Sequence, residues 1–185
     1  SNVHPAWLYH TFSWGRFGRA FPQIAGGAEN LKYVYRLDGR AAVRTGYDRK
    51  NLYVAIDCED DHAVFGDNPE QSDRFVLSFD RDLVGDFGPG AGEADASLQI
   101  VPREGGVTVT GIPGASAAMT RNAAGYIIEA AIPLSSVSTT APQPGAAIGF
   151  DLLWNDADPD VGGVKSSRMR WAGGSRTLGQ LFFGK

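Results

Sequence analysis

A chain of 185 residues that is 43% hydrophobic is long enough to bury one sizeable core, whereas two full domains would each be small. A net charge of −4 with no basic run leaves little to attract a phosphate backbone or an anionic membrane, so nucleic acid is not an expected partner. No stretch approaches the ~20 apolar residues of a membrane-spanning helix, and the lone Cys58 excludes an internal disulfide. Ser1-Asn2-Val3 lacks the charged and apolar regions of a signal peptide, so the sequence reads as a mature or excised domain. The 24 glycines and 10 prolines, without a long helix-forming block, are what many strands joined by tight turns require. The expected fold class is all-β, a single antiparallel β-sandwich of immunoglobulin-like or jelly-roll-like form. Residues 1–40 would supply an arm and the first strands, and 41–185 the core.

In chain order, residues 5–22 are rich in aromatics (Trp7, Tyr9, Phe12, Trp14, Phe17, Phe21) without a sustained period, and read as an irregular arm packed over the core. Residues 41–48 alternate, stop at Asp48-Arg49-Lys50-Asn51, and alternate again from Leu52 to Cys58, with Leu52, Val54, Ile56 and Cys58 on one face. That pattern predicts a hairpin. Residues 73–80 form a third strand whose aromatic and branched side chains suit a half-buried pleated surface. Arg81 to Ala94, with Gly85, Gly88, Pro89, Gly90 and Gly92, is predicted to be a long surface loop, a place where binding function tends to sit. Strands are predicted again at 96–102, 107–111, 125–132, 147–154 and 178–183, and Pro133 to Val137 as a single helical turn.

Two of these strands run into clusters of oxygen-bearing side chains. Leu52 to Ile56 leads into Asp57-Cys58-Glu59-Asp60-Asp61, and Ile148 to Trp154 leads into Asn155-Asp156-Ala157-Asp158. Strands that deliver oxygen ligands to their ends point to a sandwich that binds something polar at its rim, a cation or a sugar.

The order of segments resembles the carbohydrate-binding modules of family 9 and the related sandwiches that include haem-binding members. The resemblance is carried by 47–56 with its acidic turn, Gln71 to Asp80, Gly125 to Pro133, Gly145 to Asp151, Asn155 to Asp158, and Arg170-Trp171 ahead of Leu178-Gly179-Gln180-Leu181. It covers roughly residues 41–185. It implies a non-catalytic sugar-binding module, attached to or working beside a polysaccharide-degrading catalytic domain, secreted or periplasmic, with calcium as a structural ion. A sugar ring offers an apolar face that stacks on indole and a rim of hydroxyls that suits carboxylates, amides and guanidinium groups. Trp171 fits the second tryptophan of the family's clamp. Glu70 stands where the first is expected, Val76 where an acidic contact is expected, and Arg168 where an amide is expected.

The expected sugar-binding residues are therefore Trp171, Arg168, Asn155, Glu70, Asp73 and Gln99, with the loop after Asp80. Trp171 reads equally as platform or core, and Trp154 as core. Asp73 and Asp80 bracket a strand, and capping of turns ranks ahead of sugar contact for both. The expected calcium ligands are Asp57, Glu59, Asp60, Asp61, Asp156 and Asp158, because crowded carboxylates repel and calcium takes six to eight hard oxygens. His4, His10 and His62 are too scattered in the sequence for a transition-metal site. Catalysis ranks below binding: Glu93 and Asp95 could form a glycosidase pair, but nothing marks a nucleophile or a nucleotide-binding loop. Haem between Met119 or Met169 and His62, and a structural or protein-interaction sandwich that has lost its sugar site, are the remaining alternatives.

Overall fold

A computed structural model of the chain describes residues 39–81, 83, 96–170 and 178–184. The aromatic arm at 5–22, most of the loop after Asp80, the pair Glu93 and Asp95, and Trp171 lie outside the described residues. The first two strands, β1 (Gly39–Tyr47) and β2 (Asn51–Asp60), form the predicted hairpin, with Tyr47 opposite Leu52. Its turn is held by Asp48, whose Oδ1 accepts from the backbone N–H groups of Lys50 and Asn51 at 2.7 Å each, a side chain mimicking the next turn of backbone. There follow β3 (Arg74–Asp80), β4 (Ala96–Arg103), β5 (Gly106–Thr110), β6 (Ser116–Asn122) and β7 (Gly125–Pro133). The helical turn α1 (Leu134–Val137), β8 (Ala147–Asp160), β9 (Gly163–Arg170) and β10 (Gly179–Phe182) complete the described elements.

These strands make two antiparallel sheets, one in the order β1-β2-β7-β6 and the other in the order β10-β8-β3-β4-β5, with β9 also paired to β8. Alternation decides the packing. Leu52, Val54, Ile56 and Cys58 of β2 face Phe75, Leu77 and Phe79 of β3 and Ile148, Phe150, Leu152 and Trp154 of β8 across the core, and all are buried. Phe75 stacks on Trp154 (centroids 5.8 Å apart, planes 17°) and meets Tyr126 edge-on, so three aromatic rings seal one end of the core. Trp154 also lies over Gly39, where a Cβ would come within 2.6 Å of the indole; the first glycine of β1 is the space into which that ring packs.

Three features differ from the sequence reading. β6 (Ser-Ala-Ala-Met-Thr-Arg-Asn) and β9 (Gly-Val-Lys-Ser-Ser-Arg-Met-Arg) have little of the branched and aromatic character expected of strands. Both are created by pairing, β6 along β7 and β9 along β8. β8 extends to Asp160 because β9 continues its ladder from Leu153 onward, so the acidic run predicted to lie on a flexible segment past the strand is part of a paired strand. β2 likewise reaches Asp60, which places Asp57 and Glu59 in the ladder rather than in a turn.

Candidate functional site

The core-facing files of both sheets end in carboxylates at the same end of the sandwich. On β2 the file Leu52, Val54, Ile56, Cys58 is continued by Asp60, and on β8 the file Ile148, Phe150, Leu152, Trp154 is continued by Asp156 and Asp158. One oxygen each of Asp60, Asp156 and Asp158 lies within 4.8 Å of the others. Asp158 is shared with a second, more exposed group made by Asp61 and His62, whose Nδ1 lies 3.1 Å from Asp61 Oδ1. That bond raises the pKa of His62. The sequence reading left His62 unconnected; it sits two residues beyond Asp60, and only the meeting of β2 with β8 brings it beside Asp158. His4 and His10 lie outside the described residues.

Asp57 and Glu59 do not join this cluster. A strand sends successive side chains to opposite faces, so these two leave β2 on the side away from Asp60, and Glu59 is ion-paired with Arg40 across the β1–β2 ladder. Asp73, expected among the sugar contacts, precedes Phe75 in the inward file of β3 and is 0% exposed. Its Oδ2 accepts from the Tyr126 hydroxyl and its Oδ1 from the Ala157 N–H, both at 3.0 Å. A sugar on the surface does not reach it. Burial pushes its pKa up to about 8, and burial also raises that of Asp60 beside it. Asp60 is 7% exposed; its Oδ1 accepts from the His62 N–H at 2.8 Å, and its side chain is hydrogen-bonded to that of Asp73, a pairing of two carboxyl groups that requires a proton on one of them. Carboxylates crowded this closely at the edge of a core repel one another unless a proton or a cation lies among them, and the oxygen-only donor set of Asp60, Asp156 and Asp158 suits a hard cation. These residues could hold a metal ion.

The sign of the pH dependence follows from Asp73. Its folded pKa lies above its unfolded value near 3.8, so the folded protein holds a proton that the unfolded chain releases. The stabilisation is fully present below about pH 4 and is lost as pH rises towards 8. In chelator, the melting temperature is therefore expected to fall between these limits in wild type. In Asp73→Asn, whose amide cannot titrate, that part of the slope should vanish; an unchanged slope would show that another group carries it.

The other polar gathering lies on the outer face of the β10-β8-β3-β4-β5 sheet. Arg74 of β3 pairs with Asn155 of β8, and Asn155 with Arg168 of β9, so the three share one row across the sheet. The next row is Thr110, Gln99, Val76 and Leu153. Glu70, on the 3-10 turn Pro69–Gln71 before β3, lies 2.5 Å from Arg74 Nη1 and 3.5 Å from Arg168 Nη2. Asn155 is 1% exposed and works from beneath, its Nδ2 donating to the Ser72 carbonyl at 3.3 Å and its Oδ1 accepting from Arg168 Nε at 3.4 Å. Arg168, Glu70, Asn155 and Gln99, four of the sequence-predicted sugar contacts, are thus brought to one face, and Trp171 follows β9 directly in the chain. Arg74 was missed; its signal was its place one residue after Asp73, and so on the opposite face of the strand.

This two-sheet antiparallel sandwich carries polar side chains on one outer face and carboxylates at its rim, two places where a ligand can be held. Residues 30–176 match the model of the carbohydrate family 9 binding domain-like family, and the chain belongs to that family of non-catalytic carbohydrate-binding modules. It is 29% identical over 116 residues to endo-1,4-beta-xylanase A of Thermoanaerobacterium saccharolyticum, a match covering 63% of this chain and 9% of the length of that relative. The fold is that of a family 9 carbohydrate-binding module from Caldicellulosiruptor kristjanssonii solved with cellotriose (TM-score 0.60, 17% identity, 80% of this chain and 76% of that one). The same holds for a family 9 module of that organism solved with glucose (TM-score 0.58, 17% identity, 80% and 78%). Among the described residues no helix is long and apolar enough to cross a membrane.

Proposed function

We propose that this single domain binds an oligo- or polysaccharide on the outer face of the β10-β8-β3-β4-β5 sheet. Trp171 is the stacking platform, Arg168, Glu70 and Gln99 are the polar contacts, and Asn155 holds Arg168 in place from below. The observation that carries the reading is the bonded pair of exposed side chains Arg168 and Glu70 over the buried Asn155, at the end of the strand that leads into Trp171. Val76 and Leu153 in the adjoining row provide an apolar floor of the kind that the CH face of a sugar ring covers. The module works attached to or beside a polysaccharide-degrading enzyme, outside the cytoplasm. This part of the reading draws on the xylanase relative, of which the chain spans a small share. Calcium is the cation we assign to Asp60, Asp156 and Asp158, with Asp61 at the rim. The haem alternative gains no support, since Met119 and Met169 both pack against the core, one from each sheet.

The test is tryptophan fluorescence and melting temperature against a panel of soluble oligosaccharides, each with calcium and with chelator. One sugar class should shift both signals; silence across the panel would leave a structural or protein-interaction module. Calcium at ~100 times its Kd should stabilise the fold by about 2.7 kcal/mol, a rise on the order of 5–10 °C. Asp158→Asn, at a half-buried rim position, should abolish that rise. A calcium shift that survives this variant would put the ion elsewhere.

A further inference from the structure

We propose that the glycan taken by this face carries a carboxylate, that is, a uronic acid residue, and that Arg168 receives it. The inference rests on the sugar-binding reading above and specifies the ligand of that same site.

The chain as a whole is acidic, with a net charge of −4, yet three arginines converge on this face. Arg74 and Arg168 share the row through Asn155. Arg103 follows Gln99 and Val101 in the outward file of β4, and its Nε donates to Thr108 Oγ1 at 3.4 Å. Two carboxylates answer them. Glu70 is divided between Arg74 and Arg168, and its contact with Arg168, 3.5 Å, is at the limit of a hydrogen bond. Asp67 stands 3.7 Å from Arg103 with its side chain fully exposed, an ion pair that solvent screens heavily. Asp151, also on this face of β8, lies four residues from Asn155, about 13 Å along the strand. Among the described side chains, three guanidinium groups against two carboxylates leave a positive excess at the end of the sheet where β9 leads into Trp171.

The donors are under-used as well as in excess. Arg74 Nε is buried without a hydrogen-bond partner and Arg103 Nη1 has only its long contact with Asp67, so the positive charge beneath this face is poorly answered, although a guanidinium carries five N–H donors that bind a carboxylate two at a time. Arg168 is about half exposed, with 49% of its side chain in solvent, and Glu70 is 63% exposed. Arg168 holds Asn155 and Glu70 only at 3.4 and 3.5 Å, so an incoming carboxylate can dock on it in a fork while Glu70 keeps its shorter bond to Arg74. A neutral sugar would meet the same donors with hydroxyls, which leave the excess charge unanswered. A ligand carboxylate satisfies both charge and geometry.

The experiment is calorimetric titration of the 185-residue chain with a neutral xylo-oligosaccharide and with the same oligosaccharide bearing one glucuronic acid branch, at low and high salt. The acidic ligand should bind roughly 10- to 100-fold more tightly at low salt, as a charge-assisted hydrogen-bonded pair allows. The advantage should shrink in ~0.5 M salt. In Arg168→Gln the ratio of the two affinities should fall to about 1 with the melting temperature retained. In Glu70→Gln, which removes the competing carboxylate, affinity for the acidic ligand should rise. Equal affinity for the two ligands in the wild type would overturn the uronate assignment and leave sugar binding standing. An acidic preference untouched by Arg168→Gln would overturn the assignment to this face. Failure of both ligands to bind, with neutral cello-oligosaccharides silent too, would overturn the sugar-binding reading itself.

Discussion

Trp171→Ala is expected to abolish detectable sugar binding while the melting temperature stays within about 2 °C of the parent. Stacking one face of a sugar ring on indole takes on the order of 100 Å2 of apolar surface from water, worth about 2.5 kcal/mol at ~25 cal/mol per Å2, or nearly two orders of magnitude in affinity. Shallow sites exchange water bonds for protein bonds at small net gain, so a loss of that size takes binding below the range of titration. Polar residues around the ring orient the sugar but cannot replace the stacking contribution. Titration by fluorescence is unsuitable here because the variant removes a reporter, so calorimetry is the measurement. If Trp171→Ala unfolds the domain, the indole belongs to the core; if it binds normally, the stacking platform lies elsewhere.

Trp154→Ala is expected to do the reverse, destabilising the fold by about 3–5 kcal/mol and affecting sugar affinity only through the loss of folded protein. Trp154 is 1% exposed, stacked on Phe75 and packed over Gly39, so its removal opens a cavity that neighbouring strands cannot close without breaking register. A loss of that size is a large share of the ~5–15 kcal/mol that holds a domain together. The indole Nε1 makes no hydrogen bond, so Trp154→Phe forfeits volume but no polar contact and should be clearly milder. Chemical denaturation of the three proteins would check the order; a Trp154→Ala midpoint equal to the wild type's would contradict the packing described here.

The opposite outcomes expected for the two tryptophans show what alternation can and cannot reveal. Trp154 was legible as core because it closes a file of alternate apolar residues, Ile148, Phe150 and Leu152, and the structure buries all of them. Trp171 follows a polar strand and precedes Ala172-Gly173-Gly174, and no periodicity bears on its surroundings. The hairpin through Asp48, the third strand and the turn at Leu134 were legible for the same reason as Trp154: each is specified by neighbours in sequence. β6 and β9 were not, because their residues become strands only when β7 and β8 offer a ladder.

The acidic segments divide in the same way. That carboxylates cluster after two apolar strands is plain in the sequence, and a period of two already separates Asp60 from Asp57 and Glu59. Which carboxylates meet depends on how β2 and β8, nearly a hundred residues apart and in opposite sheets, pack across the core, and packing of that range leaves no local trace. The sequence by itself determined the strand periodicity, the all-β class, the tight turns and the chemical types available for a site, because these depend on residues within a few positions of one another. Only the tertiary structure decided that Asp60 meets Asp156 and Asp158, that Asp73 is withdrawn into the core under Tyr126, and that Glu70 lies between Arg74 and Arg168. Those juxtapositions depend on which strands become neighbours and in what register, and that is settled by burying one continuous core between the two sheets.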